Sequence, residues 1–175
     1  MTDELITIEP ARVDHPEGEM LVSALAEDVR VRYGDDDGGE PEVGAFELSR
    51  PAGGTFLLAR IEGRPVGCIG LRRFEDDVAE IRRMYVVPEA RRRGVARALL
   101  GALEAQARRL GYRAIVLETG LRQPEAVALY ESHGYTRIPN YGRWADSPLC
   151  VCLEKRLDDQ LGSNSTGSEF GPRNA

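Results

Sequence analysis

The sequence has little cysteine, and its three cysteines form no metal-binding pattern. Cys68, Cys150 and Cys152 make an odd count, and none has metal-ligand spacing to His15 or His133. Cys150 and Cys152 fall on one face of a predicted strand, where free cysteine usually packs as a small apolar side chain. We therefore predict neither a metal site nor redox chemistry.

Long hydrophobic runs are also missing. No apolar stretch is long enough to cross a bilayer, and the opening MTDELITIEP lacks the basic and then apolar regions of a secretory signal. The expected location is therefore the cytoplasm, with no membrane partner. The net charge of −6 argues against extended nucleic-acid binding, so a polyanionic partner must be small or local.

The composition is typical of one globular domain. The chain has 175 residues, 42% of them hydrophobic and 30% charged, which is enough to bury a core. The final segment, LGSNSTGSEFGPRNA, is rich in Gly, Ser and Asn and has no hydrophobic periodicity. We predict one catalytic domain over residues 1–158, followed at 159–175 by a disordered tail or a remnant of cloning. The sequence allows a homodimer without requiring one.

Hydrophobic periodicity predicts the elements of the first half. Alternating apolar residues indicate strands, spacings of three or four indicate helices, and Gly or Pro marks boundaries. The order is strand, helix, an acidic Gly/Pro-rich loop with a short helical turn at AFELSR, a hairpin joined at 62–64, and another strand. The segments cover about residues 5–9, 17–33, 34–51, 54–74 and 80–87.

The second half begins with a strongly amphipathic helix that ends at Gly111. Its apolar stripe consists of Ala96, Leu100, Leu103, Ala107 and Leu110. The run AIVLE, residues 114–118, predicts a buried strand, so the strand, helix, strand order implies a parallel crossover. A further helix over EAVALYESHGY and two strands, YTRIPNY and LCVCLEKRL, complete a mixed sheet with helices on its faces.

The segment RRRGVAR, residues 91–97, lies where this helix begins. The first N–H groups of a helix lack intrahelical partners and carry partial positive charge, so they bind phosphate well. Gly94 would admit a ligand close to the backbone, and guanidinium groups pair with phosphate oxygens. No Gly-Lys-Ser/Thr follows and no three-glycine fingerprint is present. The segment therefore predicts an oligophosphate site for a ligand other than ATP or NAD.

In this context the chain resembles the GNAT family of N-acetyltransferases. The family motif is Arg or Gln, two residues, Gly, one residue, then Gly or Ala, which here is Arg91, Gly94 and Ala96. The flanking segments EIRRMYVVPEA, AIVLE and QPEAVALYESHGY match as well, and the resemblance covers about residues 54–157 closely. It implies an α/β (α+β) single-domain fold. The implied sheet is mixed and mostly antiparallel, with six to seven strands, helices on both faces and a splay between the fourth and fifth strands.

The resemblance implies acetyl-CoA as cosubstrate and assigns its contacts. In the family, N–H groups around the motif bind the pyrophosphate, and the preceding strand pairs with pantetheine. The matching residues are Met84, Tyr85, Val86, Arg91, Arg92, Arg93, Gly94, Val95, Ala96 and Arg97. Gln123 stands where many relatives have Asn, and it precedes Pro124, so the resemblance implies only a weak contact to the pantetheine arm or a phosphate.

Two catalytic residues are also implied by the resemblance. Tyr130 matches a tyrosine placed near the CoA sulfur as general acid. Its ordinary pKa of about 10 exceeds that of a thiol, so hydrogen bonding to the thiolate is an alternative to full proton transfer. Glu80 matches a glutamate that histone-acetylating members use as general base, and a backbone N–H near Val86 would polarise the carbonyl. A core tyrosine and a strand-end carboxylate are the structural alternatives.

The sequence leaves the identity of the acetyl acceptor open. The leading hypothesis is an acyltransferase that acetylates a primary amine of a small molecule by direct attack. A peptide or protein amine, a non-catalytic CoA-binding module and a local nucleic-acid binder are the alternatives. Two segments are candidates for shaping the acceptor site, an acidic one before the first hairpin and an aromatic one between the last two strands. The acidic segment also fits a solvated loop, and the aromatic segment also fits a cap on the sheet. They contain Asp35, Asp36, Asp37, Glu40 and Glu42, and Tyr141, Trp144 and Asp146.

Overall fold

The computed structural model describes residues 5–34 and 43–157, and these form seven strands and three α-helices. The elements are β1 Ile6–Pro10, α1 Pro16–Tyr33, β2 Thr55–Ile61, β3 Arg64–Arg73, β4 Val78–Val86, α2 Val95–Arg109, β5 Ala114–Gly120, α3 Pro124–Ser132, β6 Thr136–Ile138 and β7 Cys150–Arg156. Most predicted boundaries are confirmed within two residues. The predicted tail and the acidic cluster between Asp35 and Glu42 lie outside the described residues.

The strands form one sheet in the order β1-β2-β3-β4-β5-β7-β6. Every neighbouring pair is antiparallel except β4 and β5, which are parallel. The turn between β2 and β3 has positive φ at Glu62 (50°) and Gly63 (78°), as a tight two-residue hairpin requires. The predicted mixed and mostly antiparallel sheet is therefore confirmed.

One predicted strand is too long. The segment YTRIPNY predicts pairing through Tyr141, but β6 ends at Ile138. Pro139 has no N–H to donate, and the side chain of Asn140 takes over the hydrogen bonding beyond it. Its Nδ2 donates to the carbonyl of Cys150 at 3.1 Å, and its Oδ1 accepts from the N–H of Cys152 at 3.2 Å. The chain therefore leaves the sheet edge at this point.

Helices cover both faces of the sheet because alternate residues of β2 point to opposite sides. Leu57 and Ala59 pack with the apolar stripe of α2, which includes Leu99 and Leu103. Phe56 and Leu58 point to the opposite face, where they pack in a separate hydrophobic cluster with Leu21 of α1, Cys68 and Tyr85. The predicted arrangement of helices on both faces is confirmed. Within the described ranges, no helix is long and apolar enough to span a membrane.

The parallel pair β4–β5 is short and opens into a splay. Only Val78–Glu80 pairs with Ala114–Val116, although β4 continues to Val86 and β5 to Gly120. A bulge lies in the unpaired part of β4, where Arg83 has a φ of 58° and the register with β3 shifts. The predicted splay between the fourth and fifth strands is confirmed, and it forms the site described next.

Candidate active site

A cavity of about 740 Å³ lies where β4 and β5 diverge. Its walls come from α1, the unpaired halves of both strands, α3 and the segment 144–150. A smaller cavity of about 140 Å³ lies beside it, and Arg82 and Trp144 line both. The larger cavity has room for an acceptor molecule and the end of a long cosubstrate.

Tyr130 of α3 lines the large cavity and is only 4% exposed. Its ring contacts Tyr135 edge-on, with centroids 5.6 Å apart. Burial raises the pKa of Tyr130 above its ordinary value, and the negative charge of Glu118 raises it further. The hydroxyl group therefore keeps its proton at neutral pH and is available as a hydrogen-bond donor.

Glu118 is a cavity residue that the sequence reasoning missed. It lies near the end of β5, lines the same cavity as Tyr130, and acts electrostatically on that hydroxyl group. A signal was present in the sequence, because Glu118 is the one charged residue in the apolar run AIVLE, and a carboxylate in a buried strand is unusual without a role. The splay brings this carboxylate and Tyr130 to the same cavity.

Glu80 is placed differently. Its side chain is 2% exposed and borders the small cavity, not the large one. Arg72 Nε donates to its carboxylate at 2.6 Å, and the Tyr141 hydroxyl donates at 2.9 Å. A guanidinium nitrogen of Arg82 lies 4.0 Å away. Within the described structure, the carboxylate predicted as general base is thus engaged by neighbouring side chains of the protein.

The turn before α2 contains residues in the left-handed backbone region. Arg92 and Gly94 have positive φ, 60° and 84°, and α2 begins at Val95. The N–H groups of the first helical turn, which includes Ala96 and Arg97, have no intrahelical acceptor. The predicted cofactor residues from Arg92 to Arg97 therefore occupy one contiguous turn.

Arg91, the first residue of the family motif, points inward. Its Nε donates to the carbonyl of Val86 at 3.0 Å, and a terminal nitrogen donates to Asp28 of α1 at 3.1 Å. The guanidinium also lies 5.8 Å from the ring centre of Tyr85. These contacts tie the turn to the end of β4 and to α1, so the side chain of Arg91 positions the turn. The exposed side chains of Arg92, Arg93 and Arg97 extend from it.

The three β4 residues predicted to contact pantetheine have different surroundings. The side chain of Met84 lines the large cavity, while that of Tyr85 packs in the core beneath α1. The carbonyl of Val86 already accepts the bond from Arg91. Gln123, at the start of α3, lines the cavity and accepts a hydrogen bond from Thr119 at 3.2 Å.

The loop between β6 and β7 contains the other residues that were predicted to shape the acceptor site. Trp144 is half-buried, borders both cavities and stacks against the guanidinium of Arg143 at 4.6 Å. Tyr141 is 7% exposed and faces Glu80, while Asp146 is exposed. Of these three residues, only Trp144 lines the large cavity.

The family of the chain is decided by a sequence comparison. The family model described as "Acetyltransferase (GNAT) family" matches residues 18–135. The chain belongs to the GNAT acetyltransferase family. The match includes α1 from its third residue, the bulged strand β4, the turn before α2 and Tyr130, and of the cavity walls it leaves out the segment 144–150. The resemblance seen in the sequence is thereby confirmed, and the enzyme is an acyltransferase.

Individual GNAT relatives are moderately similar. An IAA acetyltransferase of Azospirillum brasilense is 38% identical over 103 residues, which cover 58% of this chain and 67% of that protein. An uncharacterised N-acetyltransferase of Escherichia coli is 32% identical over 96 residues, covering 53% of this chain and 58% of that protein. The chain thus spans about two thirds of the first relative and less of the second.

Solved structures of GNAT proteins share the fold. A Klebsiella pneumoniae protein proposed to be an acyl-CoA N-acyltransferase superimposes with a TM-score of 0.73 at 29% identity, covering 87% of this chain and 98% of that one. A Salmonella typhimurium structure, 20% identical, has a TM-score of 0.63 and covers 92% and 99% of the two chains. The Salmonella structure contains acetyl-CoA.

Proposed function

We propose that the protein transfers the acetyl group of acetyl-CoA to a primary amine of a small molecule by direct attack on the thioester. The observation that carries this proposal is the pairing of Tyr130 and Glu118 in one cavity at the splay. A hydroxyl group that keeps its proton can stabilise the departing thiolate, and a carboxylate can take a proton from the amine, which are the two proton-transfer roles that the reaction needs. The proposal includes a cytoplasmic location and no metal.

The residues present fit acetyl-CoA as the cosubstrate. The turn from Arg92 to Arg97 offers backbone N–H groups and guanidinium charge for a pyrophosphate. The unpaired half of β4, with Met84 toward the cavity, offers the free strand edge that an amide-containing arm requires. When bound, acetyl-CoA supplies the activated acetyl group, and Gln123 borders the same cavity.

Tyr130 holds the proton that the departing thiolate needs. Because its pKa is raised, the hydroxyl group stabilises the developing negative charge by hydrogen bonding before it gives up its proton. The N–H groups on the open edge of β4 near Val86 are the donors proposed to polarise the carbonyl.

Glu118 is the carboxylate that the geometry favours as general base. Most alkyl amines are protonated at neutral pH, so a carboxylate within the acceptor cavity is needed to remove or relay a proton. Glu118 borders that cavity, whereas Glu80 borders the smaller one and is held by Arg72 and Tyr141. The resemblance implies Glu80 for this role, and that prediction stands until variants of both residues are compared.

The experiment separates cofactor binding from turnover. Purified protein is incubated with acetyl-CoA and a panel of amino acids, polyamines, aminoglycosides and short peptides, and thiol release and acetylated products are followed by mass spectrometry. We expect acetylation of one class of small amine and a higher melting temperature with CoA. Acetylation of peptides alone would replace the small-molecule acceptor, and a protein that neither binds nor turns over acetyl-CoA would overturn the proposal.

A further inference from the structure

Pairing between β4 and β5 does not fix the distance between the two sides of the splay. Their hydrogen bonding ends at Glu80 and Val116, and the strands separate beyond these residues. The turn proposed to bind the cosubstrate follows β4, whereas α3, which carries Tyr130, follows β5. Contacts that connect these two sides therefore influence how far the Tyr130 hydroxyl group lies from a bound thioester.

Four charged side chains connect the two sides through α1, and we call them the charged bridge. On the β4 side, Arg91 donates to the carbonyl of Val86 at 3.0 Å and to Oδ1 of Asp28 at 3.1 Å. Arg32 Nε donates to Oδ2 of the same carboxylate at 2.9 Å, and Arg32 Nη1 pairs with Oε1 of Glu125 at 2.5 Å. Glu125 lies in the first turn of α3. The charged bridge thus runs from the end of β4 to the helix that carries the proposed general acid.

The end of α1 is also joined to the connection between β5 and α3 by backbone groups. Arg32 Nη1 donates to the carbonyl of Arg122 at 3.2 Å, and Arg122 Nη1 donates to the carbonyl of Arg32 at 3.0 Å. The hydroxyl group of Tyr33 accepts from the N–H of Arg122 at 3.0 Å. A Cβ added at Gly120 would overlap this hydroxyl group. The last residues of α1 therefore fit closely against the end of β5.

The contacts of Arg32 are stronger candidates for holding a geometry than ordinary surface ion pairs. Isolated exposed pairs contribute little, because water screens them and both side chains lose entropy. The side chains of Asp28 and Arg32 are only 25% exposed, although Glu125 is 59% exposed. The guanidinium of Arg32 bonds two carboxylates and one carbonyl, and its planar fork fixes the direction of each bond.

Neither Asp28 nor Arg32 is among the described residues that line the large cavity, so an effect on the reaction passes through the elements that they join. We propose that both are positioning residues. They hold α1 between the turn before α2 and α3, and they thereby place the Tyr130 hydroxyl group at its distance from the thioester. This inference rests on the proposed acetyl transfer and assigns residues outside the cavity to it.

Arg32→Gln breaks the charged bridge on its α3 side and leaves the bond between Asp28 and Arg91 in place. We expect kcat to fall about tenfold or more, because misplacing a reacting group by about 1 Å can cost about a hundredfold in rate. KM for acetyl-CoA should stay within about threefold, since the turn before α2 is untouched. Arg32→Lys restores the charge without the fork and should recover at least about threefold of the lost kcat.

Glu27→Gln is the matched control on the same helix. Glu27 pairs with Arg30 within α1 at 2.7 Å, and both side chains are more than half exposed. Its loss should leave kcat and KM within about twofold of wild type, as expected for a surface pair. Glu125→Gln removes the pair with Arg32 from the exposed α3 side and should reproduce the fall in kcat, so it replaces Arg32→Gln if that variant does not fold.

Fluorine NMR follows Tyr130 without turnover. The six tyrosines are replaced by 3-fluorotyrosine, the Tyr130→Phe variant assigns the Tyr130 signal, and spectra are recorded with saturating CoA. We expect the Tyr130 signal to shift or broaden in Arg32→Gln and to stay at its wild-type position in Glu27→Gln. A general loss of stability would leave the signal of the folded protein unchanged.

The outcomes distinguish this inference from the acetyl-transfer proposal. An unchanged Tyr130 signal in Arg32→Gln, an equal effect of Glu27→Gln, or an Arg32→Lys variant as impaired as Arg32→Gln would overturn the positioning role. A KM for acetyl-CoA that rises in parallel with the loss of kcat would overturn it as well. A Tyr130 signal that moves in Arg32→Gln but not in Glu27→Gln, in a protein that gives no acetylated product, would support the placement of Tyr130 by the charged bridge and contradict the proposed reaction.

Discussion

The hydroxyl group of Tyr141 donates a 2.9 Å hydrogen bond to Oε1 of Glu80, across 61 residues of sequence. Tyr141 lies in the loop between β6 and β7, and Glu80 lies in the short paired part of β4. The bond joins the loop that carries Trp144 to the strand just before the splay. The carboxylate is therefore part of the framework that holds the two cavities side by side.

Tyr141→Phe should destabilise the protein by about 2 kcal/mol, because hydrogen bonds to charged groups contribute about 1.5–3 kcal/mol. Tyr33→Phe is the control, since the Tyr33 hydroxyl accepts a hydrogen bond from the neutral backbone N–H of Arg122 at 3.0 Å. It should cost about 1 kcal/mol, the contribution of a neutral bond. Urea unfolding of both variants measures the difference, and equal losses would contradict a charged acceptor at Tyr141.

Tyr130→Phe should lower kcat by about a hundredfold or more, because loss of a positioned acid costs factors of 10²–10⁴. Affinity for CoA should stay within about twofold, since the ring is retained. Burial raises the pKa of Tyr130, so its ionisation should cause no decline in wild-type kcat up to about pH 10. Steady-state assays across the pH range measure kcat, and calorimetry measures CoA affinity. A Tyr130→Phe variant with full kcat would show that Tyr130 is not the general acid.

Glu118→Gln and Glu80→Gln should affect different properties. Glu118→Gln should reduce kcat about a hundredfold and abolish the acidic limb of the pH profile, as expected for loss of a general base. Glu80→Gln should cost about 2 kcal/mol of stability and less than tenfold in kcat. This cost is smaller than for a fully buried pair because Arg72 is 27% exposed. The reverse pattern would assign the base to Glu80.

Gly94→Ala should weaken CoA binding about tenfold and cost about 1–2 kcal/mol of stability, because φ is 84° and an L-residue is strained there. Steric overlap does not cause this loss of stability, since the nearest atom to an added Cβ is Ile6 Cδ1 at 3.9 Å. Gly101→Ala is the control within α2, where nothing lies within 4 Å of the new Cβ. It should stabilise the helix by about 0.5–1 kcal/mol. Thermal unfolding with and without CoA compares the two.

Cys150 should react slowly with alkylating reagents although it borders the large cavity. Burial raises the pKa of its thiol to about 11. Since a raised thiol pKa favours the protonated form, about one thiol in a thousand is ionised at pH 8, against about one in four for a free cysteine. Iodoacetamide labelling followed by mass spectrometry should show this slow rate, increasing tenfold per pH unit up to about pH 10. A rapid reaction at pH 7 would contradict the raised pKa.

The sequence by itself determined most of the elements and the position of the turn before α2. The apolar stripe of α2, the hairpin at Glu62 and Gly63, and the Arg91–Ala96 motif are local patterns, set by spacing and by residues that favour positive φ. Such patterns depend on neighbours within a few positions, so they can be recognised before any contact is known. The family resemblance rested on the same local features.

Only the tertiary structure decided which side chains share the cavity. The bulge at Arg83 lies where β4 borders the large cavity, and the sequence pattern of the strand does not predict it. Because β4 and β5 pair over only three residues, they diverge and leave the cavity in which Glu118 acts on Tyr130. The hydrogen bonds from Arg72 and Tyr141 hold the Glu80 side chain at the smaller cavity. These relationships join residues far apart in sequence, and they follow from strand register and packing, which no local pattern specifies.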